Sequence, residues 1–331
     1  MADYRLELIQ LLASGECYSG NALAERFGVS RTAIWKQVEA LEGMGLAIER
    51  LAGRGYRLQK PFITLSSVAL GAALGPIGES WFPSLQVCSE VESTNQEIAG
   101  ALTAGAASGT VCLAEYQHAG RGRRGRVWHA PYGQNLCFSL LWRYESGPGA
   151  LGALSLAVAV AVRRGLLALG IPGIGIKWPN DLVCGGSKLA GILLEVQGES
   201  AGPSSVVVGI GLNVNMTSDQ LDQQIDQPWQ ALAGLAGVEL DRNRVAAAIL
   251  LELGAVLSAY EQGGFLTVAD EFAAADVLRG REVMLVQGAE QPRPVQVHGV
   301  AADGGLLVQS GAQRETVYSG EVSVRSWSGL N

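Results

Sequence analysis

The first sixty residues show the apolar spacing of helices, followed by that of short strands. Apolar side chains recur at intervals of three and four residues in three segments, and two shorter extended segments come next. They predict three helices and a strand hairpin, over 4–12, 20–27, 30–44, 47–50 and 55–58. Three helices followed by a hairpin is the order of a winged helix-turn-helix, which we predict for residues 1–62.

After a predicted linker at 61–67, the pattern becomes that of a mixed α/β domain, which we assign to residues 63–277. Apolar runs typical of buried strands alternate with helical segments, and one helix is apolar on nearly every side. The predicted strands are 85–91, 110–117, 135–142, 188–196 and 205–214, with another ending near 178. One predicted helix begins at residue 92, and three others cover 151–169, 241–260 and 266–275.

The last fifty residues change to short strands with turns between them. We predict strands at 282–286, 295–300, 306–309, 315–318 and 322–325. Asp303-Gly304-Gly305 supplies a hairpin turn between two of them. Short strands in such number predict a small closed β-barrel over residues 278–331.

Composition excludes several classes of protein. Hydrophobic residues make up 48% and charged residues 17% of the 331 residues, which is typical of globular domains and not of disordered chains. The five cysteines are widely spaced without a C-x-x-C pair, so disulfide frameworks and metal centres are not expected. Charged residues near the start oppose a secretory signal, and the longest apolar run, 150–162, is too short to cross a bilayer. We therefore expect a cytoplasmic protein without membrane contact.

The most unusual stretch is Gly120-Arg121-Gly122-Arg123-Arg124-Gly125-Arg126, in a chain with a net charge of -7. Its like charges repel and its glycines lose much backbone freedom on ordering, so the run is costly unless an anion neutralises it. Because it joins two predicted core strands, we favour a phosphate- or carboxylate-binding loop over a solvated surface loop. The run also fits G-x-G-x-x-G, but the turn-rich segment after it excludes a dinucleotide-binding helix.

Polar side chains on the third predicted helix favour nucleic acid as a partner. Residues 1–60 carry a net charge of +1 and the remainder -8, so the charge asymmetry is modest. The placement of the basic groups is more informative. Outward-facing helix residues and one residue of the wing form the candidate DNA-binding set: Arg31, Thr32, Trp35, Lys36 and Arg54. Use of the winged helix for protein contacts is the alternative. Trp35 is unusual on a solvated face, and packs either against DNA or against the rest of this protein.

Three further segments carry candidate chemistry. Ser93 and Thr94 each begin a capping-box pattern at the start of a helix, whose free N–H groups also suit a polar ligand. The segment Lys177-Trp178-Pro179-Asn180-Asp181 ends a strand with charged and turn-forming residues, and Lys188 begins the next strand. Glycines within the strand at Gly209-x-Gly211-x-Asn213 predict close approach of a ligand or another backbone.

Taken together, the arginine loop, Lys-Trp-Pro-Asn-Asp and Ser-Lys-Leu-Ala-Gly-Ile-Leu resemble the biotin–protein ligases. With the winged helix, the chain is similar to the bifunctional type that is both ligase and biotin operon repressor. The resemblance implies a class II synthetase-like biotin ligase fold and a C-terminal SH3-like barrel. It also implies that biotin and ATP, with Mg²⁺, form biotinyl-5′-AMP, whose biotinyl group passes to a lysine of a carrier domain such as that of acetyl-CoA carboxylase.

The resemblance also implies roles for individual residues. Biotin is expected to contact Ser93, Thr94, Asn95, Gln117, Arg121, Gly122, Arg123 and Lys188. ATP or the adenylate is expected to contact Gly120, Arg121, Arg123, Arg124, Asn180, Asn213 and Trp229. Arg123, Lys188 and Asp181 are the candidate catalytic residues, with Asp181 orienting or deprotonating the acceptor lysine. No resident metal site is expected.

In that family the adenylate-bound protein forms a homodimer that binds a two-fold operator. Two alternatives remain at this point. A lipoate–protein ligase has a related central fold but is not expected to carry this doubled-arginine loop. A transcription factor that only senses a small molecule needs no phosphate chemistry, and the lysine and aspartate cluster opposes it.

Overall fold

The structure of the protein, a computed structural model, describes residues 4–200, 202–217, 225, 227–287, 291–318 and 322–326. The predicted fold class is confirmed in its three parts.

The N-terminal part is the predicted winged helix. Its elements are α1 (Arg5–Ala13), α2 (Gly20–Phe27), α3 (Arg31–Gly43), β1 (Ile48–Leu51) and β2 (Gly55–Leu58). Ser30 accepts a hydrogen bond from Ala33 N and caps α3. Ile34, Val38 and Leu41 form the buried face of α3, as the apolar spacing predicts.

The central part is built on a seven-stranded mixed sheet in the order β3-β4-β5-β9-β8-β7-β6. The strands are β3 (Ser84–Val91), β4 (Thr110–Gln117), β5 (Leu136–Tyr144), β6 (Gly175–Lys177), β7 (Asp181–Cys184), β8 (Ser187–Gly198) and β9 (Ser204–Leu212). Only the β3–β4 pair is parallel among the pairings of this sheet. The helices are α4 (Ser67–Trp81), α5 (Thr94–Thr103), α6 (Leu154–Ala168), α7 (Leu232–Ala236), α8 (Arg242–Gly263) and α9 (Ala269–Ala275).

The two faces of this sheet are covered unequally. Helices α6 and α8 pack together over one face and form the main core. On the other face, Ile98 of α5 packs against Cys112, Leu141 and Val207 in a much smaller cluster. The thinner side therefore leaves space for a ligand beside α5. Within the described residues, one segment, 242–267, has the length and apolarity to cross a membrane, and 56% of its most apolar window is buried in this core.

Helix α4 was not predicted. Gly71, Gly75 and Pro76 lie within it, and Gly75 has a left-handed φ of 61° at a kink. Such residues normally mark turns, so their presence conceals the helix in the sequence. The one local signal is Ser66, whose side chain caps the helix by accepting from Ala69 N.

The C-terminal part is a five-stranded antiparallel sheet in the order β13-β12-β11-β10-β14. Its strands are β10 (Glu282–Gln287), β11 (Arg293–Val300), β12 (Leu306–Ser310), β13 (Gln313–Val317) and β14 (Val322–Ser326). All five predicted strands are confirmed. The predicted turn at 303–305 contacts the central part, where Trp178 Nε1 donates to Gly304 O at 2.9 Å.

A buried ion pair fixes the linker between the first two parts. Arg242 lies 2.6 Å from Glu115, and both side chains are almost fully buried. Arg242 also donates to the linker carbonyl of Ile63, and the Glu115 carboxylate accepts from Leu65 N. Removal of either partner would leave a buried charge unpaired, so the linker is held firmly against the sheet.

Candidate functional site

The floor of the candidate site is a row of small residues on the α5 side of the sheet. The strand register places Cys137 opposite Gly211, Gly211 opposite Gly191, and Gly191 opposite Asp181. A Cβ atom at Gly211 would lie 2.4 Å from the Trp128 ring, so a larger residue there would displace the indole. These strand glycines were predicted to mark close approach of a ligand or another backbone, but in the structure the side chains of Asn95 and Trp128 approach Gly209 and Gly211 instead.

We call the candidate site above this row of residues the groove. One end of the groove carries a hydrogen-bond network centred on Ser139. Its hydroxyl lies 2.6 Å from Asn95 Oδ1 and 2.7 Å from Thr94 Oγ1. Asn95 Nδ2 donates to Glu195 Oε2 at 2.8 Å, so both ends of this buried amide are engaged by the protein. A Cβ atom at Gly209 would come within 2.0 Å of Asn95 Oδ1. Asn95 is therefore held in one orientation.

The capping-box interpretation of Ser93 and Thr94 is wrong. Ser93 is the N-cap residue of α5, but its side chain makes no capping hydrogen bond. Gln117, at the end of β4, supplies the acceptor instead. Its Oε1 accepts a hydrogen bond from Thr94 N at 2.9 Å and lies 3.2 Å from Thr94 Oγ1. The polar side chains at the start of α5 thus belong to the groove network. This arrangement brings Ser93, Thr94, Asn95 and Gln117 together.

The arginine loop folds back on itself over the groove. Gly122 N donates to Arg126 O at 2.7 Å, and Trp128 N donates to Gly120 O at 2.8 Å. Arg124 has a left-handed φ of 60° within a single 3-10 turn, Arg123–Gly125. No α-helix follows the glycines in this described segment, which confirms that the G-x-G-x-x-G match is not a dinucleotide-binding motif.

The arginines of the loop point to different partners. Arg123 donates to Asn180 Oδ1 at 3.2 Å, at the Asp181 end of the groove. Burial, assisted by the neighbouring Arg124 charge, lowers the pKa of the Arg123 guanidinium from its ordinary value. Arg121 instead forms a 3.3 Å ion pair with Glu195 at the Asn95 end. Arg124 and Arg126 are exposed. The loop therefore places cations at both ends of the groove.

Lys188 and Asp181 form the charged centre at the Arg123 end. Lys188 Nζ lies 2.8 Å from Asp181 Oδ1, and both side chains are less than a quarter exposed. The ammonium group also lies 5.8 Å from the centroid of the Trp128 ring. A partly desolvated cation next to a carboxylate and an aromatic face is suited to bind an anion that displaces its carboxylate partner.

Asn213 connects this centre to the segment that contains Trp229. Its Nδ2 donates to Lys188 O at 3.3 Å and to Gln230 O at 3.2 Å. Lys188 and Trp229 form an isolated parallel bridge between the two segments. A cavity of about 760 Å³ lies beside this bridge and is lined by Trp229, Met216 and Lys60, among other residues. Asn213 and Trp229 are thus adjacent to Lys188.

The candidate DNA-binding residues form a separate, exposed face. Arg31, Thr32, Trp35 and Lys36 are all exposed along α3, and Arg54 is exposed in the turn of the wing. Two other wing arginines are already paired within the winged helix: Arg50 with Glu42 and Arg57 with Glu49, each at 2.5 Å. The positive charge available to a nucleic acid is therefore smaller than the sequence suggests.

Three residues of the groove were not predicted: Ser139, Trp128 and Glu195. Ser139 is the one serine in the otherwise apolar segment 136–142 of β5, and a lone small polar residue in a buried strand was the available signal. Trp128 and Glu195 stand next to quoted motifs, but only the three-dimensional structure shows that they face the groove.

Comparison with known proteins gives family matches in two parts of the chain. The model of the HTH domain family matches residues 5–57, and that of the Biotin/lipoate A/B protein ligase family matches residues 87–213. The bifunctional ligase/repressor BirA of Escherichia coli K12 is 36% identical to this chain, and the match covers 97% of both chains. A biotin–[acetyl-CoA-carboxylase] ligase of Mycobacterium tuberculosis is 35% identical over 74% of this chain and 90% of its own.

Solved structures support the same relationship. The biotin protein ligase of Aquifex aeolicus in complex with biotin and ATP aligns with a TM-score of 0.64 and 26% identity. The alignment covers 74% of this chain and all of the Aquifex chain.

Proposed function

The chain belongs to the family of bifunctional biotin protein ligases and repressors, and on this premise we propose that its groove activates biotin with ATP. A biotin carboxylate oxygen attacks the α-phosphorus of ATP, the bond to the β-phosphate oxygen breaks, and pyrophosphate leaves. The product is biotinyl-5′-AMP. An amine of a carrier-domain lysine then attacks the acyl carbon, and AMP leaves as the amide forms.

The convergence of Arg123, Lys188 and Asp181 at one end of the groove carries this proposal. Two anions, a carboxylate and a phosphate, must meet in the first step, and negative charge grows on the phosphoryl oxygens. Fixed cations at this point stabilise the transition state more than the separated substrates. We assign Lys188 to the carboxylate and phosphoryl oxygens, and Arg123 to the same charges from the loop side.

The opposite end of the groove suits the polar ring of biotin. Ser93, Thr94 and Asn95 lie at the start of α5, beside Gln117 at the end of β4, and Asn95 and Thr94 are oriented by Ser139. We propose that this end binds the ring and that the apolar part of biotin extends along the glycine row toward Lys188. The arginine loop is proposed to cover the bound biotin with Gly120, Arg121 and Gly122. The same groove would suit a lipoyl chain less well, because lipoate has no second ring with hydrogen-bonding groups.

The nucleotide is assigned to the side of the site that contains Asn213 and Trp229. Asn213 holds the Lys188 and Gln230 backbones together, so it positions the lysine as well as lining the adenine side. Asn180 and Arg124 complete the proposed nucleotide contacts. Mg²⁺ would arrive bound to the phosphates of ATP, because it keeps most of its water and needs one or two carboxylates at most.

Asp181 is proposed to act in the second step. In the free protein its carboxylate is neutralised by Lys188. When Lys188 turns to the adenylate, Asp181 becomes available to orient the acceptor lysine and to accept its proton. The acceptor would be the biotin carboxyl carrier domain of acetyl-CoA carboxylase.

Isotope exchange and transfer assays test the ligase function. We expect labelled pyrophosphate to exchange into ATP only when biotin is present, and labelled biotin to enter a carrier domain at its lysine. The same carrier with lipoate is the matched control. Incorporation of lipoate alone, or absence of biotin-dependent exchange, would contradict the proposal.

The winged helix is proposed to repress biotin genes by binding their operator. The candidate contacts are Arg31, Thr32, Trp35 and Lys36 on α3, with Arg54 on the wing. A gel-shift assay on the organism's own biotin-gene promoter, with and without biotin and ATP, tests this role. Specific binding that persists after deletion of residues 1–60 would show that the winged helix is not the DNA-binding element.

We further propose that the adenylate-bound protein is a cytoplasmic homodimer. Strand β8 pairs with β7 from Ser187 to Gly191 and with β9 along its other side. On the β7 side, residues 193–198 of β8 therefore pair with none of the described strands. A free edge of this kind can pair with a second copy. Sedimentation with and without biotin and ATP tests dimerisation.

The five cysteines are free thiols in the structure, as suits a reducing compartment. Our proposed domain limits remain 1–62, 63–277 and 278–331.

A further inference from the structure

Trp35 occupies an unusual position for a large apolar side chain. It lies in the first half of α3, and 41% of the side chain is exposed. Its helical neighbours on the same face are Arg31 and Thr32, four and three residues earlier, and both are exposed. The hydrophobic core of the winged helix is formed by the opposite face of α3. Trp35 therefore contributes little to the fold where it stands.

The exposed indole is nevertheless held in place. The Arg50 guanidinium lies over its ring, 5.8 Å from the centroid. Arg50 is itself fixed by two hydrogen bonds to Glu42, at 3.1 Å and 2.5 Å. Arg50, a residue of the wing strand β1, thus holds the indole of α3 from one side. A side chain ordered before binding loses less conformational entropy when a partner arrives.

The Arg50–Glu42 pair also changes what this part of the surface offers. Because Glu42 neutralises Arg50, the pair supplies an aromatic support and not a net positive charge. Arg31 and Lys36, on either side of Trp35 along α3, form no ion pair with a carboxylate of the described residues, and both suit phosphates. Trp35 itself offers only apolar edges and one indole N–H. Among groups in the major groove of DNA, the thymine 5-methyl is the apolar one.

We propose that Trp35 is a specificity-determining residue that reads thymine through its 5-methyl group in each operator half-site. The first residues of a recognition helix approach the base edges, and Trp35 is the fifth residue of α3. Arg50 and Glu42 position the indole for this contact. The inference rests on the proposed repressor function, since it assumes that α3 lies in the major groove.

Thymine and deoxyuridine differ only in this methyl group, which provides the test. An operator is first selected from random duplexes with the full-length protein, biotin, ATP and Mg²⁺. Each thymine is then replaced singly by deoxyuridine, and the dissociation constant is measured by fluorescence anisotropy. We expect about a fourfold loss at one or two positions of each half-site, the effect of burying one methyl group. Trp35→Ala should bind the thymine and deoxyuridine duplexes equally at those positions.

Arg54→Ala is the matched control, since Arg54 is an exposed cation of the wing. It should weaken binding to both duplexes equally and leave the methyl effect intact. If Trp35→Ala binds too weakly to measure, 5-iododeoxyuridine at the sensitive position gives a second readout in the wild-type protein. Ultraviolet irradiation should crosslink it to the tryptic peptide of residues 32–36.

The outcomes separate this inference from the function on which it rests. Absence of any selected operator would contradict the repressor function itself. Specific binding without a methyl effect at any position would overturn the role of Trp35, and would favour a protein partner for the exposed indole. A methyl effect that persists unchanged in Trp35→Ala, or a crosslink to another peptide, would overturn it as well.

Discussion

The groove of the central domain and the outer face of the winged helix use arginine in opposite ways. In the groove, Arg123 is partly buried and directed at Asn180, close to the Lys188–Asp181 pair. On the winged helix the arginines of α3 and of the wing are exposed, and Arg50 and Arg57 are paired with carboxylates of the same domain. Desolvated charges in fixed geometry contribute more energy each than exposed ones, which are screened by water and salt. Substitutions should therefore have large, local effects in the groove and small, salt-dependent effects on the DNA-binding face.

The largest effect is expected for Lys188→Met. The substitution keeps most of the side-chain volume but removes the cation that faces the two reacting anions. We expect biotin-dependent pyrophosphate exchange to fall by roughly 100- to 1000-fold. Biotin binding measured by calorimetry should fall far less, because the ring end of the groove is unchanged. Equal losses in binding and exchange would show that Lys188 holds the ground state and not the transition state.

Arg123→Gly should come next, with its main effect on retention of the adenylate. Loss of the guanidinium removes the loop cation at the Asn180 end, so we expect biotinyl-5′-AMP to dissociate roughly 10- to 100-fold faster. Escape of this reactive intermediate should appear as labelling of unrelated proteins. Arg124→Gly is the matched control in the same loop: Arg124 is exposed and has a left-handed φ that glycine adopts freely, so its effect should be smaller. An unchanged adenylate off-rate for Arg123→Gly would contradict the assignment.

Ser139→Ala tests the part of the groove that was not predicted. Its hydroxyl is fully buried and lies within hydrogen-bond distance of both Thr94 and Asn95. Without this hydroxyl, the side chains of Thr94 and Asn95 each lose a hydrogen-bond partner and can rotate. We therefore expect roughly tenfold weaker biotin binding. The KM for ATP should stay near its wild-type value, since Ser139 lies at the other end of the groove. Equal changes in both constants would indicate general damage to the fold.

The order of elements and the charged motifs were accessible from the sequence because they depend on residues close together in the chain. The helix spacing of α1 to α3, the arginine loop and the Lys188 and Asp181 segments are of this kind. The contacts of Ser139 with Asn95, and of Glu195 with Asn95 and Arg121, depend on strand register and join residues far apart in sequence. Helix α4 was missed because its glycines and Pro76 are typical of turns. The pairing of Arg50 and Arg57 was missed because carboxylate partners cannot be assigned from a charge count.

The smallest effects, and the sharpest test of the contrast, concern two arginines of the wing. Arg57 is paired with Glu49, whereas no carboxylate of the described residues forms an ion pair with Arg54. Arg54→Ala should lower operator affinity several-fold and reduce the slope of log affinity against log salt by about 1.8, because the homodimer loses one phosphate contact, worth about 0.9, in each half-site. Arg57→Ala frees Glu49 as it removes a cation that was already neutralised, so the slope should change little. Titrations at several salt concentrations, with biotin and ATP present, distinguish the two variants. An equal reduction of the slope by Arg57→Ala would mean that the Arg57–Glu49 pair opens when DNA binds. Arg57 would then contact a phosphate, and the winged helix would direct its arginines at an anion as the groove does.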